Sequence, residues 1–183
     1  MQIDLTEKTI ESKRVYEGRV VNLRVDTVVL PNGRITTREI VEHRGAAAVV
    51  PMPTPGTVIL IRQFRKPADE RLLEIPAGTL GECESPIECA QRELAEEIGY
   101  RAGKLEELFS IYLAPGYSTE KLHVFLATDL ERGERHADEE EFIELVEMTL
   151  DEAIAQIEAG RIKDAKTICG LLLTWYRLHR KKA

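Results

Sequence analysis

The chain of 183 residues is poor in cysteine and has no long apolar run. Its three cysteines are an odd number without CxxC spacing, which argues against a disulfide framework or a zinc site. No segment approaches the run of about 18 apolar residues that a membrane-spanning helix needs. The first residues, MQIDLTEKTI, lack the apolar core of a signal peptide. We therefore expect a soluble, cytoplasmic protein that has no membrane partner.

Positive charge is scarce relative to negative charge. Lysine and arginine total 25 and aspartate and glutamate total 32, so the formal net charge is −7. Proteins that bind nucleic-acid polymers need a basic surface, and this balance does not favour such a partner. It leaves room for a small anionic substrate, because a metal ion or an arginine can invert the field inside one cleft.

The apolar pattern predicts a β-rich first third. Asn32-Gly33 separates strand-like runs at residues 20–30 and 35–42, which is a strong hairpin signal because both turn positions tolerate positive φ. The length fits one domain, and 43% hydrophobic residues suffice for an ordinary core. Further strand-like runs are residues 46–52, 57–64, 72–75, 108–113, 122–130 and 142–148.

One helix has clear start and stop signals. Ser85 is a good N-cap, Pro86 suits the first helical position, and Glu88 completes a capping box. Gly99 is a natural C-terminal stop. Two later helices are predicted over residues 150–158 and 164–181. Together the strands and helices indicate a mixed α+β fold with one sheet system and helices packed around it.

Three glutamates crowd the end of the first helix. Glu93, Glu96 and Glu97 stand at i,i+3 and i,i+4 spacing, where like charges repel by roughly 0.2–0.5 kcal/mol per pair. The helix dipole also disfavours anions at this end. A hard divalent cation such as Mg²⁺, which takes carboxylate oxygens, would relieve the conflict. A solvated acidic face is the commoner explanation of a Glu-rich helix, and only the spacing favours a metal site.

That spacing matches a known motif. Gly78, then Glu84, then Arg92-Glu93-Leu94, Glu96-Glu97 and Gly99-Tyr100 stand in the register of the Nudix box, which they resemble at every defined position. Members of that family fold as an α/β/α sandwich with a mixed sheet, and their box glutamates hold Mg²⁺ or Mn²⁺ against a diphosphate. The resemblance therefore predicts a Nudix-type sandwich preceded by an N-terminal antiparallel β-hairpin region.

The resemblance also assigns roles to the box residues. Glu93 and Glu97 become the direct metal ligands, with Glu96 and the backbone carbonyl of Ala77 as further ligands. Arg92 orients the carboxylates and, with Glu97, is counted among the catalytic residues. Mg²⁺ is the expected cofactor and Mn²⁺ its substitute.

Two segments after the box resemble the ADP-ribose pyrophosphatase branch of the family. One is the turn LAPGYS with Pro115 and Gly116, and the other is the acidic run at residues 138–141. In that branch an acidic loop closes over the metals. By position, Glu139 is assigned as the general base and Glu141 as a metal ligand, and the reverse assignment stays open.

Further positions match the substrate side of the same branch. Arg65, at the end of a strand, suits bidentate contact with phosphate. Arg44 is a weaker candidate of the same kind, and Glu74 and Leu80 flank the approach to the box. Pro115 and Gly116 complete the predicted substrate-binding set. No aromatic residue can be equated with the adenine-stacking residue of the family.

The resulting prediction is Mg²⁺-dependent hydrolysis of ADP-ribose to AMP and ribose 5-phosphate. The alternatives are another nucleoside diphosphate derivative, namely GDP-mannose, another ADP-sugar or a dinucleoside polyphosphate, and a non-catalytic nucleotide sensor. Residues 1–45 are expected to form a dimerising β region packed on a Nudix domain of residues 46–183. The predicted partners are the small nucleotide substrate and a second copy of the chain.

Overall fold

The computed structural model describes residues 4–135 and 142–180. Two units can be distinguished in it. The first comprises the chain up to Gly45 together with residues 111–121, and the second comprises residues 46–110 and the chain from Leu122 onward. No described helix combines the length and the apolar composition needed to cross a membrane.

The first unit contains a three-stranded antiparallel sheet. Its strands are β1 (Lys8–Glu17), β2 (Asn22–Val29) and β3 (Ile35–Glu42), in the order β1-β2-β3. The turn between β2 and β3 is closed by the Gly33 amide, which donates to the Leu30 carbonyl at 2.8 Å, and Gly33 has φ of 80°. The predicted Asn-Gly hairpin is thus confirmed, whereas β1 was not predicted.

The second unit contains two sheets. Their strands are β4 (Ala46–Pro51), β5 (Thr57–Arg65), β6 (Glu70–Glu74), β7 (Ala77–Thr79), β8 (Tyr100–Tyr112), β9 (Lys121–Arg132) and β10 (Glu144–Thr149). The larger sheet has the order β7-β4-β9-β8, and β4 runs parallel to β9 and antiparallel to β7, so this sheet is mixed. The smaller sheet has the order β10-β5-β6 and is antiparallel.

Helices cover both faces of the mixed sheet. Helix α1 (Pro86–Glu93) packs Cys89 and Ala90 into a core cluster with Ala47 and Val49 of β4. Alternate residues of a strand face opposite sides. On the other side, Gly170 of α3 (Ala165–Arg180) approaches Val50 so closely that a Cβ there would lie 3.0 Å from its Cγ2. The predicted α/β/α sandwich is confirmed.

Two predicted strands have different limits in the structure. β8 begins at Tyr100 rather than Leu108, directly after the helix that carries the glutamates. β10 begins at Glu144 rather than Phe142. Helix α2 (Leu150–Glu158) begins with the Thr149 capping box that the sequence indicates. The differences come from segments such as residues 100–107, where half-exposed strand residues alternate with charged ones and weaken the apolar signal.

Candidate active site

The glutamate-bearing helix starts as predicted and ends in an unexpected way. The Ser85 amide donates to Glu88 Oε2 at 2.9 Å, and the Glu88 amide donates back to Ser85 Oγ. After α1 the chain continues as one π-helical turn, Leu94–Ile98, and stops at Gly99 in the left-handed region with φ of 72°. π-Helical turns inside helices occur frequently at functional sites. Here the turn carries Glu96 and Glu97.

The box carboxylates differ in burial. Glu93 is 8% exposed and Glu97 is 2% exposed, whereas Glu96 is more open to solvent. Burying a carboxylate is costly unless hydrogen bonds or opposite charges compensate. The Ala77 amide of β7 donates to Glu97 Oε2 at 2.9 Å, and this bond fastens the predicted ligand to the strand that precedes the helix.

Strand β7 also lies directly against Glu93. A Cβ built on Gly78 would stand 1.7 Å from Glu93 Oε1 and 2.1 Å from Glu93 Cδ. Only a residue without a side chain leaves room for the carboxylate at this point. The glycine of the motif is therefore a steric requirement of the carboxylate position.

Arg92 binds the carboxylates together. Its Nη1 donates to Glu93 Oε1 at 2.6 Å and to Glu96 Oε2 at 2.8 Å. Its Nε and Nη2 fork onto the two oxygens of Glu84 at 2.8 and 3.0 Å, and Nη2 also donates to the carbonyl of Thr79. Arg92 thus contacts two of the carboxylates that it is predicted to orient, and Glu84 serves as the anchor for the arginine.

The charges of this cluster perturb one another. Hydrogen bonds from Arg92 lower the pKa of Glu84 to about 2, and the Gly81 amide, which donates to Glu84 Oε2 at 2.7 Å, acts in the same direction. The bonds to Glu84 in turn raise the pKa of Arg92. Burial raises the pKa of the Cys89 thiol to about 12, with the charge of Glu93 adding to it, so Cys89 stays a neutral core side chain.

The depressed pKa of Glu84 predicts a pH-dependent stability. In the folded state Glu84 titrates near 2, below its ordinary value of 4.5, so its contribution is complete above about pH 5 and is lost as the pH falls toward 2. We expect Glu84→Gln to lower the free energy of unfolding by about 2 kcal/mol at pH 7, and by progressively less below pH 4.5. Urea denaturation of both proteins between pH 2.5 and 7 measures this difference.

The exposed Glu82 of the same loop provides the matched control. Glu82→Gln should leave the free energy of unfolding within about 0.5 kcal/mol of the parent at every pH. A Glu84→Gln difference that is the same at pH 3 and pH 7 would show that the Arg92 fork contributes no charge-dependent stability.

The predicted substrate residues Arg65 and Glu74 contact each other. They lie on the neighbouring strands β5 and β6, although Arg65 pairs with Glu70 in the register, and Arg65 donates from Nε and Nη2 to Glu74 Oε1 and Oε2 at 2.8 and 2.9 Å. Glu74 is 1% exposed, while the Arg65 side chain keeps 41% of its surface open. Burial alone would raise the pKa of Glu74, but Arg65 and Lys166 outweigh it and hold that pKa below its ordinary value. Leu80 packs against the core cluster beside α1.

The other predicted substrate residues belong to the first unit. Arg44 is exposed at the end of β3. Pro115 and Gly116 form an exposed turn that is closed when the Tyr117 amide donates to the Ala114 carbonyl at 3.1 Å. This turn is anchored within the same unit, since the Val41 amide donates to the Tyr117 carbonyl at 2.8 Å.

The metal assignment stays a prediction. The donors gathered around α1 are carboxylate and backbone oxygens, which suit a hard divalent cation. Within residues 4–135 and 142–180, no three His, Cys, Asp or Glu side chains are placed to enclose a metal ion. Arg92 instead compensates Glu93 and Glu96. The predicted base Glu139 and ligand Glu141 lie outside the described residues.

Two features of the site were missed at the level of sequence. Lys166 and Asp164 extend the Arg65–Glu74 pair, although the sequence offered no role for either. Gln63 lies two residues before Arg65 on the same strand, and among the described side chains its Nε2 atom is buried without a hydrogen-bond partner. A glutamine in a strand has no recognisable local signal, and the lysine acts over a separation of 92 residues.

Comparison with known proteins identifies the family. The NUDIX domain family matches residues 42–171, and the nucleoside diphosphate sugar hydrolase N-terminal domain matches residues 7–41. The fold and these matches define a pyrophosphohydrolase. The chain belongs to the Nudix family, whose hydrolases are generally dependent on a divalent metal. The predicted family and enzyme class are confirmed.

Individual relatives are similar over most of the chain. An ADP-ribose pyrophosphatase of Bacillus subtilis (strain 168) is 45% identical over 165 residues, which cover 89% of either chain. A GDP-mannose pyrophosphatase of Yersinia enterocolitica serotype O:8 is 42% identical over 158 residues, which cover 78% of either chain. The crystal structure of an ADP compounds hydrolase superposes with a TM-score of 0.84 at 25% identity and covers 96% of this chain and 95% of that chain.

Proposed function

We propose that the protein hydrolyses the pyrophosphate bond of ADP-ribose with Mg²⁺, giving AMP and ribose 5-phosphate, and that Mn²⁺ substitutes for Mg²⁺. The observation that carries the proposal is the pair of buried carboxylates, Glu93 and Glu97, which lie against β7. Arg92 joins Glu93 to Glu96. The similarity to the Bacillus subtilis ADP-ribose pyrophosphatase favours this substrate.

The predicted site residues would have separate roles in metal binding and in positioning. Glu93, Glu96, Glu97 and the carbonyl of Ala77 would hold the cation. A bound divalent cation screens the diphosphate oxygens and lowers the pKa of water. Arg92 would fix the orientations of the Glu93 and Glu96 carboxylates through its hydrogen bonds. Positioning and electrostatic stabilisation then supply most of the rate, as is usual in phosphoryl transfer.

The remaining roles follow the sequence prediction. Glu139 would take the proton from the attacking water and Glu141 would complete the metal ligands, with the reverse assignment open. Arg65 would contact the diphosphate through the edge of the guanidinium that is not forked onto Glu74. Arg44, Leu80, Pro115 and Gly116 stay predicted substrate-binding residues.

We also propose that the protein is a homodimer located in the cytoplasm. The sheet of the first unit exposes apolar side chains that a second copy of this chain would cover. These residues are Ile10, Val15, Tyr16, Val20 and Ile35. The molar mass measured by light scattering should be about twice the 20.7 kDa of one chain.

A substrate panel tests the proposed reaction. Purified protein is incubated with Mg²⁺, with Mn²⁺ or with a chelator, together with ADP-ribose, GDP-mannose, ADP-glucose or a dinucleoside polyphosphate, and the products are separated by chromatography. We expect the highest kcat/KM for ADP-ribose and no turnover with chelator. GDP-mannose is the second candidate because of the Yersinia relative, and faster cleavage of it would replace ADP-ribose as the substrate.

A further inference from the structure

A buried cluster of four charged side chains links the start of α3 to β5 and β6. Glu74 accepts two hydrogen bonds from Arg65 and a third, on Oε2, from Nζ of Lys166. Lys166 also pairs with Asp164 Oδ2 at 3.0 Å. The cluster contains two cations and two carboxylates, so its formal charge is zero.

The burial of these charges costs free energy that a purely structural feature would not require. Glu74 and Lys166 have side chains that are 1% and 11% exposed. Removing such charges from water costs several kcal/mol per ion, and apolar residues of similar volume often stabilise a fold as well or better. Arg65 is the member that reaches solvent, with 41% of its side chain exposed. The cluster therefore presents one defined cationic group at its open end.

The open end lies near the box. Arg65 is hydrogen-bonded to Glu74, and three residues after Glu74 the Ala77 amide donates to Glu97 Oε2 at 2.9 Å. The start of α3 also holds the segment that leads to Ala77. Thr167 Oγ1 accepts from the Ile75 amide at 2.8 Å and itself donates to Asp164 Oδ2 at 2.5 Å.

We propose that Lys166 is a positioning residue for the diphosphate, acting through Glu74 on Arg65. This inference rests on the proposed function. Without Lys166 the cluster would contain Arg65 against the two carboxylates of Glu74 and Asp164. Its formal charge would then be −1, and Glu74 Oε2 would lose a donor that fixes its orientation. Arg65 would attract a diphosphate more weakly and would hold it less well in place.

The test uses Lys166→Met and Lys166→Arg in the full-length protein, with KM and kcat measured for ADP-ribose in Mg²⁺. We expect Lys166→Met to raise KM about tenfold while kcat changes by less than about threefold, because the loss falls on binding. Lys166→Arg keeps the positive charge, so KM and kcat should stay close to those of the parent protein. Unchanged KM in Lys166→Met, or a loss confined to kcat, would overturn the inference.

Lys163→Met is the matched control. Lys163 lies three residues earlier on the same segment and pairs with Glu70 at 2.7 Å, but both side chains are about half exposed. Exposed pairs of this kind contribute little, so KM and kcat should stay at the parent values. A tenfold rise of KM in Lys163→Met as well would assign the effect to general loosening of the segment.

A charge-restoring variant covers the case in which Lys166→Met does not fold. Adding Asp164→Asn to Lys166→Met returns the cluster to zero formal charge and keeps an N-cap residue at the start of α3. The double variant should fold and recover a KM within about threefold of the parent. A folded double variant with KM still raised tenfold would refute the electrostatic argument.

A readout that does not depend on turnover separates this inference from the proposed function. The NMR signal of the Arg65 Nε–H group, assigned by its disappearance in Arg65→Lys, should exchange slowly with water in the parent and in Lys166→Arg, and quickly in Lys166→Met. An unchanged signal in Lys166→Met overturns the positioning role. A parent protein that leaves ADP-ribose intact overturns the proposed substrate, and the NMR result then still decides the position of Arg65.

Discussion

Replacing Glu97 by glutamine is expected to lower kcat/KM for ADP-ribose by about 1000-fold, which corresponds to about 4 kcal/mol of transition-state stabilisation. Glu97 is 2% exposed and is fastened to β7 by the Ala77 amide. The glutamine carbonyl can still accept that hydrogen bond, so the fold should persist. What is lost is the negative charge that the proposed cation requires.

Two measurements check this expectation. Steady-state kinetics at saturating Mg²⁺ give kcat/KM, and titration with Mn²⁺ followed by electron paramagnetic resonance gives the affinity for the cation. Glu82→Gln removes an exposed glutamate from the loop before α1 and should change neither quantity. Retained cleavage in Glu97→Gln would show that this carboxylate is not a metal ligand.

Gly78→Ala should have the second largest effect, at least 100-fold in kcat/KM. The added Cβ would stand 1.7 Å from Glu93 Oε1, so the carboxylate must leave its position. A displacement of about 1 Å in a group that positions the reacting atoms can cost about 100-fold in rate. Because the carboxylate is the far end of a flexible side chain, folding should suffer less than catalysis.

Gly133→Ala is the control for the added methyl group. Among residues 4–135 and 142–180, its Cβ would meet only the Gly99 carbonyl, at 3.9 Å, which is an ordinary van der Waals contact. Kinetics and the melting temperature should therefore stay close to those of the parent protein. The steric account of Gly78 fails if Gly78→Ala retains full activity, or if a crystal structure shows Glu93 unmoved beside the alanine.

Local signals in the sequence were sufficient for the features that depend on neighbouring residues. The capping box of Ser85 and Glu88, the turn at Gly33 and the stop at Gly99 all form where they were expected. Each depends on hydrogen bonds or backbone angles within a few residues, so the residue types alone carry the information. The resemblance to the Nudix box then predicted the family and, with it, the α/β/α sandwich.

Elements whose stability comes from elsewhere in the fold were not predicted. Strand β1, Lys8–Glu17, is exposed at every position and carries alternating charges, so it shows no apolar face. Strand β7 has three residues, too few for a periodic pattern. The π-helical turn at Leu94–Ile98 differs from an α-helix only in its hydrogen bonds, which residue types do not specify.

The candidate site also contains residues that local sequence patterns identify and residues that they do not. The box glutamates and Arg92 were identifiable because their spacing is fixed within one helix. Arg65 and Glu74 do not stand opposite each other in the register of β5 and β6, which pairs Arg65 with Glu70 and Ile61 with Glu74, so the strand pattern does not reveal their contact. Lys166 joins them from 92 residues away, and no pattern within a single segment reveals such a partner.

The link from Lys166 to Glu74 has a consequence for the order in which the enzyme is made. A ribosome releases the N-terminal part of a chain first, and domains generally fold as units while synthesis proceeds. The box helix and Arg65 are synthesised before the cation that completes the cluster around Glu74, which lies 92 residues after that glutamate. A nascent chain that ends before Lys166 would carry every glutamate of the motif and still lack a fully aligned Arg65. The proposed tight binding of the diphosphate should therefore appear only after Lys166 has been translated, although the box carboxylates are complete before it.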